Sequence, residues 1–322
     1  MQDFPGKTAT TEQGWLKAHK WLLLRRVSQL GVLSLFLLGP LFGVWLVTGN
    51  LSASMTLNVL PLTDPLLLTQ STLSGNWPTT SGIVGALLVL GCYALLGGRV
   101  FCSWVCPVNL VTDLAAWIRR RLDLRASSKL SRDLRWWILG LTLLLPLLTG
   151  AMIWEYVNPV SMLHRGLIFG FGWGWALIAA VFLYDLLIVR RGWCAHLCPV
   201  GACYALIGAK APVHIAALGR KRCDDCMDCF EICPEPQVIK PALKGSAKGL
   251  GPVITSIDCT KCGRCIDVCS KDVFALHPGR VSADGFARAA TKTVRPSVGP
   301  GVQEPGRSNR INPQLRSGDC AR

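Results

Sequence analysis

The chain has 322 residues, 51% of them apolar and 16% charged, with a mean hydropathy of +0.38 and a formal net charge of +15. A typical soluble domain carries about 25% charged residues, so this composition excludes a disordered chain and argues against an ordinary soluble enzyme. Fifteen cysteines could signal a secreted disulfide scaffold, but those are short chains, and here the apolar residues gather in long blocks.

Residues 1–26 form a basic segment with Lys7, Lys17, Lys20, Arg25 and Arg26. Four apolar stretches follow, Val27–Val47, Ser81–Gly98, Trp136–Trp154 and Phe169–Val189, of 21, 18, 19 and 21 residues. At about 1.5 Å per residue each covers roughly the 30 Å hydrocarbon layer of a bilayer. The first three contain no charged residue, as expected when a charge at mid-helix costs about 2.5–3.5 kcal/mol. Pro40 and Pro146 are tolerable there because neighbouring helices re-satisfy the freed carbonyls. Ser52-Ala53-Ser54 loosely resembles a signal cleavage site and Arg25-Arg26 a twin-arginine signal. The apolar core is too long for the first and the surroundings do not match the second, so the first helix reads as uncleaved.

The connections set the orientation. Residues 1–26 and 99–135 carry thirteen Lys and Arg, among them Arg99, Arg119, Arg120, Arg121, Arg125, Lys129, Arg132 and Arg135; residues 48–80 and 155–168 carry only Arg165. By the positive-inside rule both termini are cytoplasmic, on the reducing side. The same placement beside anionic lipid accounts for the +15 charge and argues against nucleic-acid binding.

An internal repeat organises the membrane half. Arg99-Val-Phe-Cys102-Ser-Trp-Val-Cys106-Pro107-Val108 returns as Arg191-Gly-Trp-Cys194-Ala-His-Leu-Cys198-Pro199-Val200, an offset of 92 residues, and Asp64-Pro65 returns as Asn158-Pro159. The predicted unit is two helices plus a Cys-x3-Cys-Pro loop, repeated in parallel.

After the fourth stretch come Cys223-x2-Cys226-x2-Cys229-x3-Cys233-Pro234 and Cys259-x2-Cys262-x2-Cys265-x3-Cys269. Such runs set three thiolates on one [4Fe–4S] cluster and send the fourth to the other. Cys223, Cys226, Cys229 and Cys269 are therefore assigned to cluster 1, and Cys259, Cys262, Cys265 and Cys233 to cluster 2. Structural zinc also uses Cys-x2-Cys pairs, but rarely in two complete x2-x2-x3 runs. Cys102, Cys106, Cys194 and Cys198 suit either one further metal or redox site between the repeats, a redox-active pair in each loop, or free thiols. His196 reads as an exposed histidine or an additional ligand. Asp185, the one charge within a span, reads as a functional carboxylate or a partner of Arg190 and Arg191. Asp64 and Glu155, flanking the outer ends of spans beside aromatics, could accept protons from a quinol, or be hydrated loop charges. Cys92, Cys203 and Cys320 have no counterpart in the repeat and read as incidental.

The expected fold is an all-α membrane domain of four transmembrane helices with a two-fold internal repeat (27–200), then a small ferredoxin-like α+β domain with two [4Fe–4S] clusters (201–280). Residues 281–322, rich in Gly, Pro, Ser and Arg, read as a disordered tail.

Over roughly residues 13–280 the chain closely resembles the NapH family of membrane ferredoxin-type proteins. The match includes Gly14-Trp15, His19-Lys-Trp21-Leu, Leu24-Arg-Arg26, Gly39-Pro40, Phe42-Gly-Val-Trp45 and Pro61-Leu-Thr-Asp-Pro-Leu66. It continues through Phe101 to Pro107, Thr112-Asp-Leu114, Asn158-Pro-Val-Ser161, Gly192-Trp-Cys194 and Cys226-Met-Asp-Cys-Phe230. The resemblance implies a multi-pass protein of the bacterial inner membrane that passes electrons from ubiquinol towards periplasmic nitrate reductase. Its implied partners are a NapG-type ferredoxin subunit and a NapC-type multihaem cytochrome. The ferredoxin-type subunit of methylamine utilisation shares the architecture, and a maturation factor for a metalloenzyme is a reading of a different class. No complete catalytic site is evident in the sequence.

Overall fold

The computed structural model describes residues 4–124, 128, 130–170 and 172–278; Arg125, Lys129 and the 281–322 tail with Cys320 lie outside the described residues. Two short helices, α1 (Lys7–Gln13) and α2 (Trp15–Ala18), lead into α3 (Lys20–Phe42), the one described helix both long and apolar enough to cross a bilayer. It starts ahead of the apolar stretch expected from Val27, because Arg25 and Arg26 find a carboxylate partner, Asp113, inside the protein. It ends at Phe42 rather than Val47. Gly43 takes a left-handed φ of 72° and donates back to Gly39, over which the Trp45 ring folds.

Residues 47–63 depart from the all-α expectation for the membrane domain. They form an antiparallel sheet of β1 (Val47–Gly49), β2 (Ala53–Thr56) and β3 (Leu60–Thr63). Leu57 and Asn58 turn the second hairpin in left-handed conformations, φ 51° and 56°. The apolar-block reading had passed over this segment because its strands are only three or four residues long. After β3 come α4 (Pro65–Leu73) and α5 (Thr80–Leu96); the sheet packs on α5 at Gly85, where a Cβ would lie 2.9 Å from Thr63 and 3.1 Å from Pro61.

The chain continues through α6 (Val100–Trp104), amphipathic α7 (Val108–Arg121), α8 (Leu134–Thr149), α9 (Ile153–Val157), α10 (Pro159–Phe169) and α11 (Trp173–Leu183). A π-helical turn, Tyr184–Ile188, extends α11, and a second, Trp193–Leu197, precedes α12 (Pro199–Ile207). α5 and α8 have 17 and 16 residues, and α11 with its π turn spans Trp173–Ile188, as long as α8. That is about 24–26 Å of helix, shorter than the stretches read from sequence. Gly97 and Gly150 end the first two early, and Gly170 and Gly172 delay the third.

The repeat is present in the backbone. Asp64 and Asn158 cap α4 and α10, each accepting at 3.1 Å from the N–H two residues on, with proline at the first helical position. Leu66, Phe101, Leu139, Val200 and Tyr204 form a core that joins α4, α6, α8 and α12. Backbones touch at its edge: a Cβ on Gly98 would lie 1.4 Å from Tyr204 O. Gly98→Ala is expected to destabilise by about 1–3 kcal/mol through overpacking, read as a lower unfolding temperature in detergent. An unchanged midpoint would mean that the two segments are not in contact.

Beyond α12, β4 (Val213–Ala216) pairs antiparallel with β5 (Ala275–Pro278), and α13 (Asp228–Ile232), α14 (Ile239–Lys244) and α15 (Arg264–Asp267) pack between them in sequence over a second core containing Ile215, Ile239, Val268 and Phe274. The N-terminal segment latches onto this region. Gly6 N donates to Asp228 at 2.8 Å, Gln13 donates to Ser270 O at 2.8 Å, and Asp267 accepts from Trp21 and Leu22 N–H at 3.0 and 2.9 Å.

Candidate metal centres

The two cysteine runs wind identically. Asp225 and Met227 in the first are left-handed, φ 61° and 65°; Lys261 and Gly263, 36 positions later, are left-handed at φ 51° and 73°. Each run thus turns between its first and second cysteines and again between its second and third. Gly263 serves a further purpose, since a Cβ there would lie 2.5 Å from the Trp21 ring.

Cys223, Cys226, Cys229 and Cys269 line one cavity, walled by Phe230, Leu243, Val268 and Phe274. Burial, then the neighbouring Cys226, Cys269 and Cys223, pushes the Cys229 thiol up to about 12. Half-buried Cys233 lies within electrostatic reach of Cys262 and Cys259, and buried Cys265 within reach of Cys262, Cys233, Cys259 and, more weakly, Cys229. Cys269 thus lies with the first run and Cys233 beside the second. Burial pushes up the thiols of Cys229, Cys233, Cys259 and Cys265, which as free groups would stay protonated at neutral pH; iron would supply the positive charge that stabilises thiolates. No three Cys, His, Asp or Glu side chains among the described residues are gathered at single-ion spacing. A four-iron cube, larger than an ion, holds its ligands further apart, and a cavity walled by four thiols suits it.

The four repeat cysteines also converge. Cys106 senses Cys102 and Cys198, and Cys194 senses Cys198, Cys106 and Cys102. Burial pushes the Cys198 thiol up to about 12. Between this group and the second run lies a small cavity lined by Cys102, Cys194 and Cys262 together with Arg99 and Arg191.

Arg99, only 2% exposed, locks the loops together. It donates to Glu235 at 2.9 Å, to Asp258 O at 2.8 Å and, across the repeat, to Cys194 O at 3.2 Å. Ser103 donates to Thr260 O at 2.7 Å and Trp104 to Lys261 O at 3.3 Å, so α6 lies directly against the second cysteine run. Arg135 pairs with Asp258, and Arg132 with Glu235 at 3.3 Å. From sequence Arg99 reads as an inside charge and Arg191 as a partner of Asp185; their recurrence at 92 residues is the signal for the structural role.

Several expectations change. His196 is buried rather than exposed, its ring nitrogen 3.3 Å from Ser131 O. Asp185 accepts from Trp193 N–H at 2.9 Å, while the ion pair of Arg191 goes to Asp113 at 2.8 Å. Asp64 is half-buried: its helix enters the core beside Tyr204, and desolvation pushes its carboxyl up to about 6 against the Leu66 N–H and Tyr204 hydrogen bonds. Glu155 lies within electrostatic reach of Asp64 and accepts from Asn158 at 3.2 Å.

Paired Cys-x2-Cys-x2-Cys-x3-Cys runs on a small α+β scaffold define an iron–sulfur protein of ferredoxin type. Residues 78–125 and 171–222 match a family described as a 4Fe-4S binding domain, and residues 222–273 match a 4Fe-4S dicluster domain. The ferredoxin-type protein NapH of Escherichia coli (strain K12) is 50% identical over 273 residues, covering 84% of this chain and 94% of that protein. The methylamine utilization ferredoxin-type protein MauN of Paracoccus denitrificans (strain Pd 1222) is 53% identical over 269 residues, 83% of this chain and 94% of its own length. The chain belongs to this NapH and MauN family of ferredoxin-type iron–sulfur electron-transfer proteins. No solved structure matches it.

Proposed function

We propose that the chain is the membrane-bound iron–sulfur subunit of a quinol dehydrogenase, relaying electrons from ubiquinol through a NapG-type ferredoxin subunit and a NapC-type multihaem cytochrome towards periplasmic nitrate reductase. The observation that carries the relay is the cavity shared by Cys102, Cys194 and Cys262, which sets the repeat loops against the second cysteine run. In this reading Cys223, Cys226, Cys229 and Cys269 hold one [4Fe–4S] cluster and Cys259, Cys262, Cys265 and Cys233 a second. Cys102, Cys106, Cys194 and Cys198 hold a further metal or redox centre. When bound, such clusters supply the one-electron steps between a two-electron quinol and haem. Arg99 and Arg191 hold the loops in register and balance thiolate charge.

Ubiquinol must lose protons along with electrons. A half-buried Asp64 with its carboxyl near 6, Glu155 close by and Tyr204 as hydrogen-bond partner, suits a proton acceptor working near neutral pH. The membrane reading is supported by the length of α3 and by exposed apolar side chains such as Leu87, Leu95, Leu144, Leu148 and Leu187 on the shorter helices. With the basic connections inside, both termini and the clusters lie on the cytoplasmic side of the inner membrane, and protease added outside spheroplasts should spare the last hundred or so residues. A MauN-type role is favoured equally by relatives 52–53% identical; neighbouring genes for nitrate reductase or methylamine oxidation separate the two.

The test is quinol titration of the anaerobically purified protein followed by EPR, repeated with Cys102, Cys106, Cys194 and Cys198 each changed to Ser. Quinol-dependent reduction of the wild type, slowed at least about tenfold in these variants, is the expected result. Wild-type protein that quinol never reduces would end the dehydrogenase reading, whereas four variants identical to wild type would remove the metal or redox role of the repeat loops.

A further inference from the structure

Between α3, α7 and the cysteine-rich region lies a cavity of about 600 Å³. Five guanidiniums line it, those of Arg25, Arg26, Arg120, Arg191 and Arg264. Their compensation is incomplete. Among the described residues, Arg25, Arg26 and Arg191 share the carboxylate of Asp113, Arg264 pairs with Asp267 at 2.8 Å, and Arg120 has only the electrostatic influence of Asp113 and exposed Glu231. Arg191, 7% exposed, keeps its Nε buried without a hydrogen-bond partner, as Arg120 does its Nη1. Burial, then the adjacent Arg191 and Arg190, lowers the Arg120 pKa to about 10. A buried charged donor without an acceptor is costly, so a site with several of them is set up for an anion.

Apart from Asp113 and His19, the rest of the lining is apolar, with Leu22 and Leu110 inside and half-exposed Leu114 and Trp117 at the lip. A neutral quinone ring could use that lip but would leave the guanidinium donors unanswered. Forked guanidiniums match the oxygens of phosphate, and an acyl chain suits the lip.

We propose that this cavity binds a phosphate group, supplied by the headgroup of an anionic phospholipid. The lipid as source rests on the membrane placement proposed above; the phosphate chemistry does not. A bound headgroup would tie the start of α3 and the middle of α7 to the cysteine-rich region, because Pro234 and Arg264, which also line the cavity, adjoin Cys233 and Cys265.

The test uses the full-length protein in detergent, probed separately with phosphatidylglycerol, phosphatidylcholine and inorganic phosphate by native mass spectrometry and thermal shift. Phosphatidylglycerol should be retained over phosphatidylcholine, Arg120→Gln should weaken it about tenfold, and Arg120→Lys should restore part of the loss. Saturable binding of inorganic phosphate with the same Arg120→Gln sensitivity, and no preference for phosphatidylglycerol, would support the phosphate site and overturn the lipid as its source. Equal retention of phosphatidylcholine with no phosphate binding, or Arg120→Gln protein binding every probe like wild type, would overturn the site altogether. Iron content and EPR spectra measured on the same samples separate loss of this site from loss of the metal centres. Arg26→Gln, at a partly exposed position, carries the same test if Arg120→Gln protein does not fold.

Discussion

Cys269→Ser is expected to cost the chain the cluster served by Cys223, Cys226 and Cys229, leaving the cluster of its own run intact; Cys233→Ser is expected to do the reverse. Anaerobic wild-type protein should hold about eight iron atoms, and each single variant about four. Double variants make the crossing visible. Cys226→Ser with Cys269→Ser removes two ligands of one cluster and should still leave about four iron atoms, whereas Cys262→Ser with Cys269→Ser strikes both clusters and should leave almost none. The basis is placement: Cys269 lines the cavity of Cys223, Cys226 and Cys229, and Cys233 lies within electrostatic reach of Cys262 and Cys259. Iron assay and EPR read the outcome. If the Cys262/Cys269 double variant keeps four iron atoms and the Cys226/Cys269 variant keeps none, each run holds its own cluster and the crossing is wrong.

The dicluster character was legible because ligand spacing is a local code: residues three apart on a tightly wound loop can present their thiols to one centre. The winding was not spelled out in advance, since Asp225, Met227 and Lys261 are left-handed without being glycine. The repeat was legible for the same reason, and the paired caps Asp64-Pro65 and Asn158-Pro159 carried it into the backbone. What escaped were features made by partners distant in the chain. Arg25 and Asp113 are 88 positions apart, and Arg99 and Glu235 are 136 apart; no periodicity links such residues, so Arg25 and Arg26 read only as loop charges. The sheet over 47–63 escaped because each strand is too short to show alternation and is stabilised by packing on α5. The depth of Asp64 escaped because a carboxylate before proline signals a helix cap but not which way that helix points.

The largest single effect on stability is expected at Asp113. Its carboxylate, with a side chain 9% exposed, pairs with Arg25 at 3.0 Å, Arg26 at 2.6 Å and Arg191 at 2.8 Å. These three cations come from α3, which Arg25 and Arg26 share, and from the second repeat, so one carboxylate ties α3 and the second cysteine loop to α7. Asp113→Asn keeps the shape and removes the charge, leaving Arg25 and Arg191 buried without a counter-ion. A loss of about 3–5 kcal/mol follows for breaking a buried pair from one side. Asp272→Asn, whose partner Lys17 and own side chain are both 59% exposed, should cost no more than about 1 kcal/mol. The pH dependence has a definite sign. Burial alone would push the Asp113 carboxyl up, but Arg191, Arg25 and Arg26 outweigh it and hold the group well below the usual carboxylate range. A depressed folded pKa contributes stability that is fully present above the unfolded value, near 3.8, and is lost as pH falls through the folded one. In detergent unfolding, the gap between wild type and Asp113→Asn should therefore stay flat from about pH 8 to pH 5 and narrow only below about pH 4. A gap that closes between pH 7 and pH 5, or an Asn variant as stable as wild type, would mean that the three arginines find their counter-charge elsewhere.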